Sequence, residues 1–187
     1  MFMNALLKQG RCKMPNWCEN TLRIQGSKES LEKFLLACRW KGAKGRSESF
    51  SFLPFTPKER QEEWSYDWSV ANWGTKWDAD THSIRVSKDW TTMYIGFDTA
   101  WSPPIPMLDT WQERFPDLTF TLRYYEGGMW FMGENGSDEE PPEVDFDDEE
   151  QSVAHDVYVA NFMSFADDDV DPNEIIRIPL IEGKSYT

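Results

Sequence analysis

The feature that most constrains this chain is where its charge lies. Residues 1–137 carry 17 Lys or Arg against 17 Asp or Glu, whereas residues 138–187 carry 16 carboxylates against only Arg177 and Lys184, so the whole net charge of −14 belongs to the last 50 residues. Its densest part, residues 137–150, holds Asp138, Glu139, Glu140, Glu143, Asp145, Asp147, Asp148, Glu149 and Glu150. Like charges at that density repel and resist packing, so this run reads as an exposed loop or linker. The fold must therefore be built mainly from what precedes it. A smaller asymmetry lies inside the neutral part: residues 11–46 hold nine basic side chains against Glu19, Glu29 and Glu32.

The 187 residues suit one domain with an appendage, and 40% hydrophobic and 15% aromatic content is enough to bury a core. No apolar run is long enough to span a membrane, and residues 1–13 lack the apolar stretch of a secretory signal. A cytoplasmic location without membrane partners is the expectation. Cys12, Cys18 and Cys38 form no CxxC, and His82 and His155 are remote from them, so neither a disulfide framework nor a metal site is expected. Either Met14 is the natural start, or residues 1–13 are a flexible N-terminal extension.

Residues 17–25 are β-rich and stop at Gly26. Ser27 then caps an amphipathic helix in which Leu31, Phe34, Leu35 and Cys38 recur at helical spacing. Residues 42–80 are rich in Pro, Ser and Trp without a clean period, and predict a long, partly packed insertion. Residues 83–87 and 92–98 are β-rich runs joined as a hairpin. After Pro103 and Pro104, Leu108, Trp111, Gln112 and Phe115 mark a second helix, with Ser102 as its cap. Residues 118–124 alternate as a strand up to Glu126-Gly127-Gly128, and residues 129–132 resume one beyond that break. The order β-α-β-β-α-β predicts an α+β, ferredoxin-like fold: an antiparallel sheet with two helices on one face, a long insertion before the second strand and an acidic C-terminal extension. The domain spans residues 14–136, and in the extension, 137–187, a helix at 153–165 and a strand at 174–181 are expected to pack back on it.

Four segments, Met14-Pro15-Asn16-Trp17-Cys18-Glu19-Asn20, Asn72-Trp73-Gly74-Thr75-Lys76-Trp77-Asp78-Ala79, Thr99-Ala100-Trp101-Ser102-Pro103-Pro104 and Tyr125-Glu126-Gly127-Gly128, together resemble the YubB-like family of ferredoxin-like proteins carried by plasmids and phages. The resemblance implies a ferredoxin-like fold and a mobile-element origin. It brings no established activity and therefore no catalytic residues, and an action on host or defence machinery follows from it only by analogy.

Candidate binding residues are Trp73, Lys76, Trp77 and Asp78, joined by Trp101 and Glu126. Tryptophans stack on bases or sugars and a lysine between them meets a phosphate or carboxylate; the alternative is that these rings plug the insertion onto the sheet. Glu126-Gly127-Gly128 lets backbone approach a ligand, or is a bulge. Residues 93–98 echo an RNA-binding RNP1 pattern without its basic residue. The spacing of Asp167, Asp169, Asp171 and Glu174 fails as a calcium loop, because Pro172 and Ile178 replace its glycine and final glutamate. No phosphate-binding glycine loop and no nucleophile with its base is visible.

The sequence thus favours a non-enzymatic interaction protein of a mobile element, without cofactor. It engages a host protein with a basic surface through Asp138, Glu139, Glu140, Asp145, Asp147, Asp148, Glu149 and Glu150. Single-stranded nucleic-acid binding by the basic residues of 11–46 and the Trp73 to Trp77 segment is the second reading. An enzyme using Asp78, Glu126 and Lys76 is a third, resting on residue types alone.

Overall fold

A computed structural model describes residues 16–40, 49–129, 131–135, 159–165 and 175–178. The expected acidic run 138–150 and the N-terminal extension 1–13 lie outside the described residues, as does much of the expected helix and strand of the extension.

Strand β1 (Trp17–Gln25) is followed by helix α1 (Lys28–Ala37), whose cap Ser27 accepts a hydrogen bond from the Ser30 N–H. The apolar spacing read from the sequence is the buried face of α1: Leu31, Phe34 and Leu35 point into the core. A hairpin follows, β4 (Asp80–Ser87) and β5 (Thr92–Ala100), after two short strands, β2 (Arg39–Trp40) and β3 (Ser49–Phe50). Helix α4 (Ile105–Arg114) leads to β6 (Thr119–Glu126) and β7 (Phe131–Asn135), and β8 (Ile175–Arg177) closes the described chain.

The main sheet is six-stranded in the order β7-β6-β1-β5-β4-β8, antiparallel throughout. Its inner four strands with α1 and α4 are the ferredoxin-like βαββαβ unit, and β7 and β8 extend the two edges. Alternation assigns the faces. Asn20, Leu22 and Ile24 of β1 pair in register with Phe97, Ile95 and Met93 of β5 and with Tyr124, Leu122 and Phe120 of β6. Leu22, Ile24, Ile95, Phe97, Phe120 and Leu122 join one buried cluster with Phe34 and Trp111 from the helices.

The insertion is more ordered than its composition suggests. It holds a 3-10 turn (Leu53–Phe55), helix α2 (Lys58–Glu62) and helix α3 (Tyr66–Trp73), which packs beside α4. Ser65 caps α3 by accepting from the Trp68 N–H, and Gly74 ends it in the left-handed conformation, φ 83°. Phe50, Phe52 and Trp73 are sent into the core. The sequence pattern misses α3 because its eight residues alternate rings and polar groups without an apolar stripe. Ser102 corrects another expectation: its hydroxyl donates to the Gly74 carbonyl (2.6 Å), and Pro104 stands at the N-cap of α4 without a side-chain hydrogen bond.

On the opposite face, residues 159–164 form a short helix, and its Phe162 and the following Phe165 cover the sheet. The Arg23 and Arg123 guanidiniums stack on the Phe165 ring at 4.7 and 4.1 Å, and Arg123 donates to the Phe162 carbonyl at 2.9 Å. Arg123 also forms an ion pair with Glu134 of β7.

Candidate functional site

The four segments that carry the family resemblance are remote in sequence, and the fold brings them to one end of the sheet. Trp17 opens β1 opposite Ala100, the last residue of β5, and the Trp101 N–H adds one more bond to the Asn16 carbonyl (2.9 Å). From the 72–79 segment, the Thr75 hydroxyl donates to the Ala100 carbonyl (3.0 Å). Buried Asn20 donates to Thr99 Oγ1 (2.9 Å), which donates to the Ser102 carbonyl (2.8 Å). Cys18 faces Glu126 across the β1–β6 pair, and a side chain at Gly128 would collide with the Asn16 amide. Gly74 is required on two counts: its φ is positive, and a Cβ there would lie 2.6 Å from Pro106 Cδ.

This frame presents an aromatic corner. Lys76 Nζ sits 4.5 Å from the Trp77 ring centre and 4.9 Å from that of Trp101. Trp17 lies 6.2 Å from Trp77, and Trp64 Nε1 donates to the Lys76 carbonyl (3.3 Å). Trp17, Trp77 and Trp101 are each 38% exposed, and Trp64 and Tyr66 more so. Trp101 holds φ 71°, a left-handed conformation that is costly for a bulky residue, by about 1–3 kcal/mol. Such strain persists where surrounding bonds over-determine it, as the Asn16, Thr75 and Ser102 contacts do here.

Of the residues singled out in the sequence, Lys76, Trp77 and Trp101 meet in this corner, while three others are turned inward and serve the fold. Trp73 is buried against Phe52 and Trp68 and donates to Thr56 Oγ1 (3.2 Å). Asp78 accepts from Ser51 Oγ (2.5 Å), the Phe52 N–H (2.7 Å) and the Ala79 N–H (2.9 Å), tying β3 to the loop before β4. Burial pushes its pKa up while those bonds pull it down. Buried Glu126 accepts from the Gly128 and Met129 N–H groups (2.9 and 2.5 Å), holding the turn into β7. Trp17, quoted only within the first resemblance segment, and Trp64 are not among the candidate binding residues; strand pairing brings Trp17 to the corner, and the bond to the Lys76 carbonyl brings Trp64 there.

Beside Trp17, on the sheet face opposite α1 and α4, Glu19 stands opposite Asp98. Burial raises both carboxyls above their ordinary values, and Asp98 raises Glu19 further. His82 Nε2 lies 3.8 Å from Asp98. Burial pushes the Cys18 thiol up to about 12, which leaves no thiolate there at neutral pH. Among the described residues no group of three or more His, Cys, Asp or Glu side chains is placed to hold a metal, and no helix is long and apolar enough to cross a membrane.

The basic residues of 11–46 do not form an open stripe among the described residues. Lys33 pairs with Glu29 (2.8 Å), Lys28 lies 3.9 Å from Glu32, and Arg23 is stacked under Phe165.

No curated protein and no solved structure matches the chain. Residues 72–162, the stretch holding three of the four segments, match the model of a family described as a ferredoxin-like domain in Api92-like protein.

Proposed function

We propose that this chain is a non-enzymatic interaction protein that docks a partner on the aromatic corner. One observation carries the reading: Trp17, Trp77 and Trp101 stand exposed around Lys76 on a frame fixed by hydrogen bonds from four segments, although the core is closed without them. Contiguous exposed apolar surface marks interaction sites, and tryptophan is among the residue types most enriched where binding energy concentrates. The order of the four segments supports a YubB-like protein of plasmid or phage origin, which makes a host protein the partner. The carboxylates of 138–150 supply a charge that attracts a basic partner surface.

Single-stranded nucleic acid is the second reading, favoured by the lysine held between two indoles. It is weakened by the burial of Trp73, by the Glu partners of Lys28 and Lys33, and by the cover over Arg23 and Arg123.

Affinity capture from host lysate, with and without nuclease, tests the choice. Three baits are needed: the full chain, Trp77→Ala, and a chain lacking 138–150. A discrete protein that resists nuclease, is lost with Trp77→Ala and is reduced by the deletion is the expected result. Nuclease-sensitive material that increases on the deletion overturns it in favour of nucleic acid.

A further inference from the structure

A second feature lies on the sheet face opposite α1 and α4, about 20 Å from the aromatic corner, since Tyr94 is six residues back along β5 from Ala100 at roughly 3.3 Å each. Arg177 of β8 stands directly opposite Arg85 of β4, Arg85 opposite Tyr94 of β5, and Tyr94 opposite Arg23 of β1. Residues paired in register share a face, so these four form one row across the sheet. Phe165 covers the Tyr94 and Arg23 end of the row, while Arg85 is half-buried over the Tyr94 ring (5.5 Å) and Arg177 is exposed.

Like charges directly opposite each other on a sheet are destabilising. No carboxylate among the described residues lies within ion-pair distance of Arg85 or Arg177. The buried Nε of Arg85 has no hydrogen-bond partner among them either. A guanidinium is a planar fork of donors that remains charged when half-buried, and two such forks side by side match the oxygens of one tetrahedral anion. We propose that Arg85 and Arg177 form an anion site that takes a phosphate-class oxyanion, free or at the end of a larger ligand. Such an anion removes the repulsion between the two guanidiniums. Burial and the Arg177 charge both disfavour charged Arg85.

The test follows the arginine Nε–Hε resonances of the full chain at constant ionic strength. Probes are inorganic phosphate, acetate, and a short oligothymidylate with and without a 5′-phosphate. A saturable shift of the Arg85 signal with phosphate, weakened about tenfold in Arg177→Gln, is expected. Arg177 is exposed on an edge strand, so that variant keeps the fold; Arg85→Lys, which keeps charge but loses the fork, should weaken binding as well. Tighter binding of the 5′-phosphorylated oligonucleotide than of phosphate identifies a nucleic-acid end as the source, and equal binding identifies free phosphate. Absence of a saturable shift, an equal response to acetate, or undiminished binding in Arg177→Gln overturns the proposal.

Discussion

Two groups of aromatic side chains in this molecule are made from the same residue types and lie within one chain, yet they behave oppositely. Beneath the helices, Phe34, Phe50, Phe52, Phe97, Trp111 and Phe120 are at most 1% exposed and meet edge-to-face, tilted or stacked at 5.3–6.5 Å. At the sheet end, Trp17, Trp77 and Trp101 keep 38% of their surface in solvent. The difference is set by backbone, not by composition. All the core rings but Phe52 project from helix and strand positions, whereas the corner rings project from a strand end, a loop and a left-handed residue. Burial explains the first group completely. The second is ordered without being buried, and the docking proposal rests on that difference.

The sharpest way to break this contrast is to truncate one ring of each group. Trp111→Ala removes a ring that touches Phe34, Phe50, Phe52 and Phe120, and should cost about 3–5 kcal/mol in denaturant unfolding. Trp77→Ala should cost less than about 1 kcal/mol. A comparable loss at both positions would mean that the corner is core after all.

Next in size is the pin that holds the insertion. Asp78→Ala leaves Ser51 Oγ and the Phe52 N–H without their acceptor in a buried site, and should destabilise by roughly 2–3 kcal/mol. Partner binding at the corner should be weakened only as far as the 72–79 loop loosens. If instead binding vanishes while unfolding is unchanged, Asp78 belongs to the recognition surface and its inward role is wrong.

These expectations show what was legible in sequence. The ferredoxin-like order and both core helices followed from local signals, because Leu31, Phe34 and Leu35, or Leu108 and Trp111, are spaced by the helix they form. The corner was half legible. Lys76, Trp77 and Trp101 stood out as residue types, but Trp73 was indistinguishable from Trp77 until Gly74 ended α3 between them. One ring then faces Thr56 in the interior and the other faces solvent. Asp78 and Glu126 looked like ligand carboxylates for the same reason: a sequence shows the acid but not the N–H groups that it accepts from. Nor could spacing show that Arg85 meets Arg177, a pairing made only by the closing edge strand.

A subtler probe separates ring from strain. Trp101→Gly removes the indole and also the left-handed penalty at φ 71°, so the lost packing is offset by about 1 kcal/mol of relieved strain. Stability should stay near that of the wild type while affinity for the partner falls about tenfold or more. Trp101→Ala, which keeps a Cβ in the same conformation, should be the less stable of the two by thermal unfolding. The reverse order would show that Trp101 is held by its ring and not by the backbone around it.

The smallest effect lies beside the corner, in the pair Glu19 and Asp98. Both carboxyls are raised above their ordinary values, 4.5 and 3.8, chiefly by burial, and Asp98 raises Glu19 further, while His82 pulls both down. An acid with a raised folded-state value holds its proton more tightly in the folded chain than in the unfolded one. The folded state therefore binds more protons across the window that opens at those ordinary values, and stability falls as pH rises through it. Glu19→Gln removes the like-charge contact and the Glu19 part of the slope. At neutral pH it should gain roughly a few tenths of a kcal/mol, the scale of a partly exposed cross-strand pair, with a flatter dependence of Tm on pH just above that window. A steeper dependence would mean that Glu19, exposed beside Trp17, is stabilised as a carboxylate in the folded chain. The rim of the corner would then tolerate negative charge at no cost, unlike a site awaiting a basic partner to neutralise it.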